Sequence, residues 1–258
     1  MGSALLSGVF KTHLFKASQV LGYDISKNAR QHSQRSYGIA LSSSAEAVLA
    51  NSSRVLIAIK PQDTPTLFER CHGIPGNGKL IISICAGISI QTLQKAFGPQ
   101  AQICRAMPNT PAVLGLGASA MAFSKNVTAT QKKWCFRFFK GAGIVSEVPE
   151  KNLNAITGLS GSGPAYGYYL TEALALAGIK AGLQADTALR FSAQTLIGAA
   201  TMVLQSGKSV PQLIADVSSK GGTTVAGMHV LTHSPVRAIL EKTVKAASAR
   251  AKELSRVS

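Results

Sequence analysis

VLIAI at 55–59 runs directly into Lys60 and Pro61, and LIISICA at 80–86 runs directly into Gly87. Each is an unbroken apolar run of strand length, closed by a residue that ends regular pairing. A strand with one wet face alternates apolar and polar side chains. A continuous run suits a strand covered on both faces, as in a parallel sheet flanked by helices. Outward from these two runs, residues 18–23 read as a strand ending at Asp24, and 102–106, 118–123 and 144–148 read as further strands. Helical patterns at 45–50 and 89–97 lie between them. Short strands alternating with helices predict βαβ units and a parallel α/β sheet.

The texture changes after Pro149. Strand signals stop, and Leu170, Ala173, Leu174 and Ala177 fall on one helical face. Asp186 is placed to cap the next helix, whose stripe runs through Leu189, Ala193, Leu196, Ala200 and Val203, with Gly207 as its stop. Ser234 and Pro235 read as the N-cap and first residue of a last helix carrying Val236, Leu240, Val244, Ala247, Ala251 and Leu254. The expected division is an α/β domain over 1–149 and an all-helical domain over 150–258.

Composition narrows the function classes. Hydrophobic residues are 46% of the 258 and charged residues 15%, which suits one or two packed cores and excludes wholesale disorder. No apolar run approaches the ~18 residues of a membrane span, so no membrane partner is expected. Cys71, Cys85, Cys104 and Cys135 lie far apart with no CxxC pair, against a zinc ribbon or a disulfide framework. Isolated thiols fit a reducing compartment. The five histidines read as lacking a paired ligand spacing, and no metal is expected. The formal charge is +16, with no acidic residue from Cys71 to Ser146. That balance suits an anionic ligand. The basic residues are scattered, however, and no glycine-aromatic RNA motif is present, so nucleic acid is not an expected partner.

Several segments carry chemistry. MGSALLSG at 1–8 opens a helix with small residues, and Asp24 follows Gly2 by 22 residues at a strand end. An acid there can bond a ribose hydroxyl. Lys60-Pro61 and Cys85-Ala86-Gly87 sit at strand C-termini, where open parallel sheets bind ligands, and Gly87 permits close backbone approach. RAMPNTP at 105–111 is a rigid turn. GLSGSGPAY at 158–166 suits either tight helix packing or a helix N-terminus open to an anion. VSSKGGTTV at 217–225 is the sharpest: glycines precede a helix beginning near Thr224, where free N–H groups and the helix dipole suit a carboxylate or phosphate. The bland alternative is N-capping by Ser219 or Thr223.

MGSALLSG, IAIKP, CAG, RAMPNTP, TGLSGSGPAY and VSSKGGTTVAG, in this order, resemble pyrroline-5-carboxylate reductase, and the closing RAKELSR looks like its animal members. The resemblance covers nearly the whole chain. It implies a Rossmann-like domain followed by a helical domain that forms a homodimer, with a higher ring of dimers. It implies NADPH- or NADH-dependent reduction of 1-pyrroline-5-carboxylate to L-proline; the isolated thiols favour a cytoplasmic setting. Met1, Gly2, Asp24, Ala58, Ile59, Lys60, Pro61, Cys85, Ala86, Gly87, Asn109 and Asp216 would meet the cofactor. Glu150, Ser219, Gly222, Thr223 and Thr224 would meet the substrate, with Thr224 holding the ring nitrogen as the catalytic position.

The sequence departs from the family in three places. The opening strand and first glycines of the dinucleotide motif are missing, so the chain reads as starting inside it, which leaves a mitochondrial leader open. Lys220 replaces the usual proline before the paired glycines. Asp24 stands where some members carry Ser to meet a 2′-phosphate, which favours NADH, with Lys27 as a compensating charge. The alternative function is a cofactor-deficient, truncated paralogue acting as a non-catalytic oligomerising protein.

Overall fold

A computed structural model describes residues 1–11 and 14–257. The chain forms two compact units, 1–162 with 244–258, and 163–243.

The first unit opens with α1 (Gly2–Lys11), β1 (Leu21–Gly22), α2 (Lys27–Tyr37), β2 (Ala40–Leu41) and α3 (Ala45–Asn51). It continues through β3 (Arg54–Ile57), α4 (Thr64–Arg70), β4 (Leu80–Ser83), α5 (Ile90–Phe97) and β5 (Gln102–Met107). Then come β6 (Gly117–Phe123), α6 (Ala129–Lys140), β7 (Gly143–Glu147) and the single turn α7 (Leu153–Ile156). Ser26, Ser44, Ser89 and Thr128 start α2, α3, α5 and α6 by accepting the N–H three residues on. Each satisfies a donor that a helix start leaves free.

Strands β3, β4 and β5 run parallel, and β6 runs antiparallel to β5 and parallel to β7. The reversal has a local cause. Only a 3₁₀ turn, Thr110–Leu114, joins β5 to β6, whereas a parallel return needs a crossover of a dozen or more residues. Among the described residues, β1 and β2 pair with each other in a separate parallel sheet. That leaves β3 at an edge, buried only at Ile57, while β4 is buried at all four positions. The expected double cover is met by β4 and not by β3.

Side chains alternate across the sheet. Ile81 and Ile103 pack on one face with Leu93, Phe97 and Leu153. Leu80, Ile82 and Cys104 pack on the other with Leu5, Val9, Phe138 and Phe139. Because Leu153 belongs to this core and Glu150 bonds Ile90 and Arg105, the first unit runs past Pro149 to Ser162.

The second unit holds α8 (Gly163–Lys180), α9 (Ala185–Gln205), α10 (Val210–Asp216) and α11 (Thr223–Thr232). The last helix, α12 (Val236–Val257), begins in this unit and ends in the first. Gln184, not Asp186, is the N-cap of α9; Asp186 lies in its first turn, beside the N-terminal end of the helix dipole. Gly207 follows the end of α9 with φ 70°, as a helix stop. Ser234 does not cap α12 with its side chain; its hydroxyl donates back to the Leu231 carbonyl at 2.9 Å.

Candidate active site

The carboxyl ends of β3, β4 and β5 lie on one side of the sheet because the three strands are parallel. Ala58, Ile59 and Lys60 leave β3 exposed, and Pro61 opens a 3₁₀ turn. Gly2 opens α1 beside this segment: a Cβ on Gly2 would stand 3.2 Å from the Ala58 methyl. Met1 is exposed, and its carbonyl accepts from the Leu5 N–H at 3.1 Å. The exposed Asp24 follows β1 and accepts the Ser26 N–H at 2.8 Å. Arg30 donates to the Asp24 carbonyl and, at 3.3 Å, to the Ile25 carbonyl. Arg70 is committed to Glu46, which it grips at 2.8 and 3.0 Å and holds at a pKa of about 2.

After β4, Cys85 is buried and its thiol donates to the Ile59 carbonyl at 3.3 Å. Burial pushes that thiol up. Ala86 is half-buried. Gly87 has φ 82°, and a Cβ there would meet the backbone of Leu254 and Ser255 at 3.2 Å. The space a side chain would take at Gly87 is therefore filled by the end of α12.

Asn109 is bonded at both ends of its amide. Its Nδ2 donates to the Ser160 carbonyl and hydroxyl, both at 3.2 Å, and its Oδ1 accepts the Ala118 N–H at 2.8 Å. This ties the 105–111 turn to residues Thr157–Gly161, which form one π-helical turn. Of the two readings of the 158–166 segment, tight packing is the one seen at its first glycines. A Cβ on Gly158 would meet Ser248 Oγ and, at 2.7 Å, the Val244 carbonyl; one on Gly161 would press on Met107 at 2.5 Å.

Glu150 turns inward. Its Oε1 accepts the Ile90 N–H at 2.8 Å and Arg105 Nη1 at 3.0 Å. Arg105 belongs to a motif that the sequence reads only as a rigid turn, and it has no assigned role there. Its signal is a lone cation inside the apolar strand QICRAM. The π turn has no sequence signal beyond small residues.

In the second unit, Gly222 is the N-cap of α11 and makes no side-chain capping bond. Ser219 and Thr223 therefore do not cap it. Gly221 takes φ 70°, which only glycine adopts readily, and the Gly222 N–H donates to the Ser219 carbonyl at 2.9 Å. Thr223 is exposed, Thr224 half-buried and Lys220 exposed. Asp216 ends α10 and pairs with Lys208 at 2.7 Å. His229 and His233 correct the reading of the histidines as unpaired: their rings lie 4.1 Å apart, one turn apart in sequence. No group of three metal-ligating side chains forms among the described residues. No helix among them is long and apolar enough to cross a membrane.

Residues 150–254 match the family model for pyrroline-5-carboxylate reductase dimerisation, and residues 1–87 match that for NADP oxidoreductase coenzyme F420-dependent. A pyrroline-5-carboxylate reductase of Pisum sativum is 38% identical over 255 residues, covering 99% of this chain and 93% of the relative. A solved Coxiella burnetii pyrroline-5-carboxylate reductase superposes with a TM-score of 0.92 at 30% identity, over 98% of this chain and 94% of that one. A Plasmodium falciparum pyrroline carboxylate reductase, solved with NADP bound, superposes with a TM-score of 0.86 at 31% identity, over 99% of this chain and 94% of that one. The chain belongs to the pyrroline-5-carboxylate reductase family.

Proposed function

We propose that this chain reduces 1-pyrroline-5-carboxylate to L-proline with NADPH or NADH. One observation carries the reading: the likeness to reductases of this name runs along 99% of the chain. The residues of the first unit fit a dinucleotide. Gly2 starts a helix against Ala58 where a Cβ would be crowded, and the first turn of α1 carries no acid. Helix starts of this kind receive phosphates.

When bound, the dihydronicotinamide supplies the hydride. Met1 and Gly2 would hold the cofactor's pyrophosphate and Asp24 its ribose hydroxyls, with Lys27 in the first turn of α2 as the neighbouring charge. Ala58, Ile59, Lys60, Pro61, Cys85, Ala86 and Gly87 form the wall of this site. Asn109 would brace the nicotinamide end, and Asp216 would contact the cofactor. The uncapped N-terminus of α11 supports the substrate assignment. Ser219, Gly222, Thr223 and Thr224 take the substrate carboxylate on N–H groups, and the Thr224 hydroxyl holds the ring nitrogen. The imine accepts its proton from solvent or arrives protonated. Most of the rate then comes from proximity, where effective molarities reach ~10⁵–10⁸ M. A homodimer, a ring of such dimers and a cytoplasmic setting belong to the same proposal.

The test is direct. The purified chain is given 1-pyrroline-5-carboxylate with NADPH and, separately, NADH. Loss of nicotinamide absorbance matched by proline formation is expected. A folded oligomer that binds neither cofactor and forms no proline would support the non-catalytic alternative.

A further inference from the structure

Glu150 joins three elements of the first unit. It opens the 3₁₀ turn Glu150–Asn152 after β7, and its Oε1 takes both the Ile90 N–H and the Arg105 guanidinium. Arg105 lies on β5 opposite Ser83, the last residue of β4, and is 7% exposed. A buried guanidinium that loses its carboxylate is strongly destabilising, so the pair holds its geometry. Ile90 is the first residue of α5, and Ser89 caps that helix. Immediately before it stands the 85–87 turn, whose Cys85 thiol reaches the Ile59 carbonyl at 3.3 Å. One line of contacts thus runs from Arg105 through Glu150 and the start of α5 to the turns that end β4 and β3.

We propose that Glu150 is a positioning residue: it fixes the start of α5, and with it the 85–87 turn, and does not itself contact the substrate. The proposal rests on the reading of that turn as part of the cofactor site. Arg105 holds the carboxylate in place, and the carboxylate holds the helix.

The experiment uses the full chain with Glu150→Ala, Glu150→Gln and Glu150→Asp. It measures NADPH affinity by nicotinamide fluorescence, KM for 1-pyrroline-5-carboxylate at saturating cofactor, and amide hydrogen exchange across 84–92. Hydrogen bonds to charged groups predict a rise of about tenfold in the NADPH Kd for Glu150→Ala. Exchange at the start of α5 should quicken by a similar factor, with the substrate KM changing by less than about threefold. Glu150→Gln keeps an oxygen at the same reach but leaves the Arg105 charge unpaired, so it should recover only part of the affinity. Glu150→Asp keeps the charge but loses the reach and should resemble Glu150→Ala, so this pair decides the matter if Glu150→Ala does not fold. An unchanged Kd with unchanged exchange in Glu150→Ala or Glu150→Asp overturns the proposal. So does a raised substrate KM in Glu150→Gln at unchanged NADPH Kd, which means direct substrate contact. If the wild-type chain neither binds cofactor nor forms proline, the proposed function fails, while exchange across 84–92 still tests what Glu150 holds.

Discussion

Single side chains divide into those the sequence exposes and those only the fold explains. Asn109 stands out in RAMPNTP as a polar residue in a rigid turn, but its partner Ser160 lies 51 positions away. Gly87 is visible as a strand-end glycine, yet the backbone it admits is that of Leu254 and Ser255. Arg105 and Glu150 are 45 positions apart, and no local pattern couples them. Thr224 is the opposite case, because its surroundings are local: two glycines and a helix start without a side-chain cap, at which it is half-buried. Replacing Thr224 by Ala should therefore lower kcat/KM by about 10- to 100-fold, the worth of a hydrogen bond to a charged ring nitrogen. Its melting temperature should stay within a few degrees of wild type, and full activity with 1-pyrroline-5-carboxylate would remove Thr224 from the mechanism. The cysteines give a second residue-scale prediction. All four are buried and free, and burial raises the pKa of Cys71, Cys85 and Cys104. The thiolate is the reactive form. A disulfide reagent at pH 8 should find the thiols protected in the native chain and count four after denaturation; rapid native labelling would show that the Cys85 link to Ile59 opens readily.

Elements are legible where hydrophobic period and caps agree. LIISICA gives β4, and Ser89 with the following apolar stripe gives α5. The direction of β6 is not legible, because alternation within a strand says nothing about its neighbour. The length of the β5–β6 connection decides it. The π turn at Thr157–Gly161 is also set by what surrounds it. Gly158 lies where α12 passes so close that a methyl group on its Cα would stand 2.7 Å from the Val244 carbonyl. Gly158→Ala should force that helix outward, and overpacking of this kind costs about 1–3 kcal/mol. Urea unfolding with an unchanged slope and a lower midpoint is the expected result. A midpoint equal to wild type would mean that α12 is not held against this turn.

At the scale of the whole chain, the change of texture at Pro149 marks where strands end, but the compact unit continues to Ser162 and takes back 244–258. A linear reading cannot see that return, because the end of α12 closes on elements far earlier in sequence. The second unit presents a different feature. Tyr168, Tyr169 and Leu176 on α8, Phe191, Ile197 and Leu204 on α9, and Val230 on α11 are all more than half exposed. In α8 and α9 the fully buried residues are Ala175 and Ala188, both small. Folded monomers rarely leave contiguous apolar patches beyond a few hundred Å² in water. The same residues fall within the segment that matches the family's dimerisation model. Light scattering at micromolar concentration should therefore report a dimer or a multiple of it. Glu in place of Phe191, which is 70% exposed, should weaken association and lower the melting temperature together. Each subunit in such an assembly covers the other's apolar helices, so dissociation and loss of the helical unit should track one another as protein concentration falls. A monomer that keeps its helical signal and its melting temperature on dilution would show that these faces need no partner.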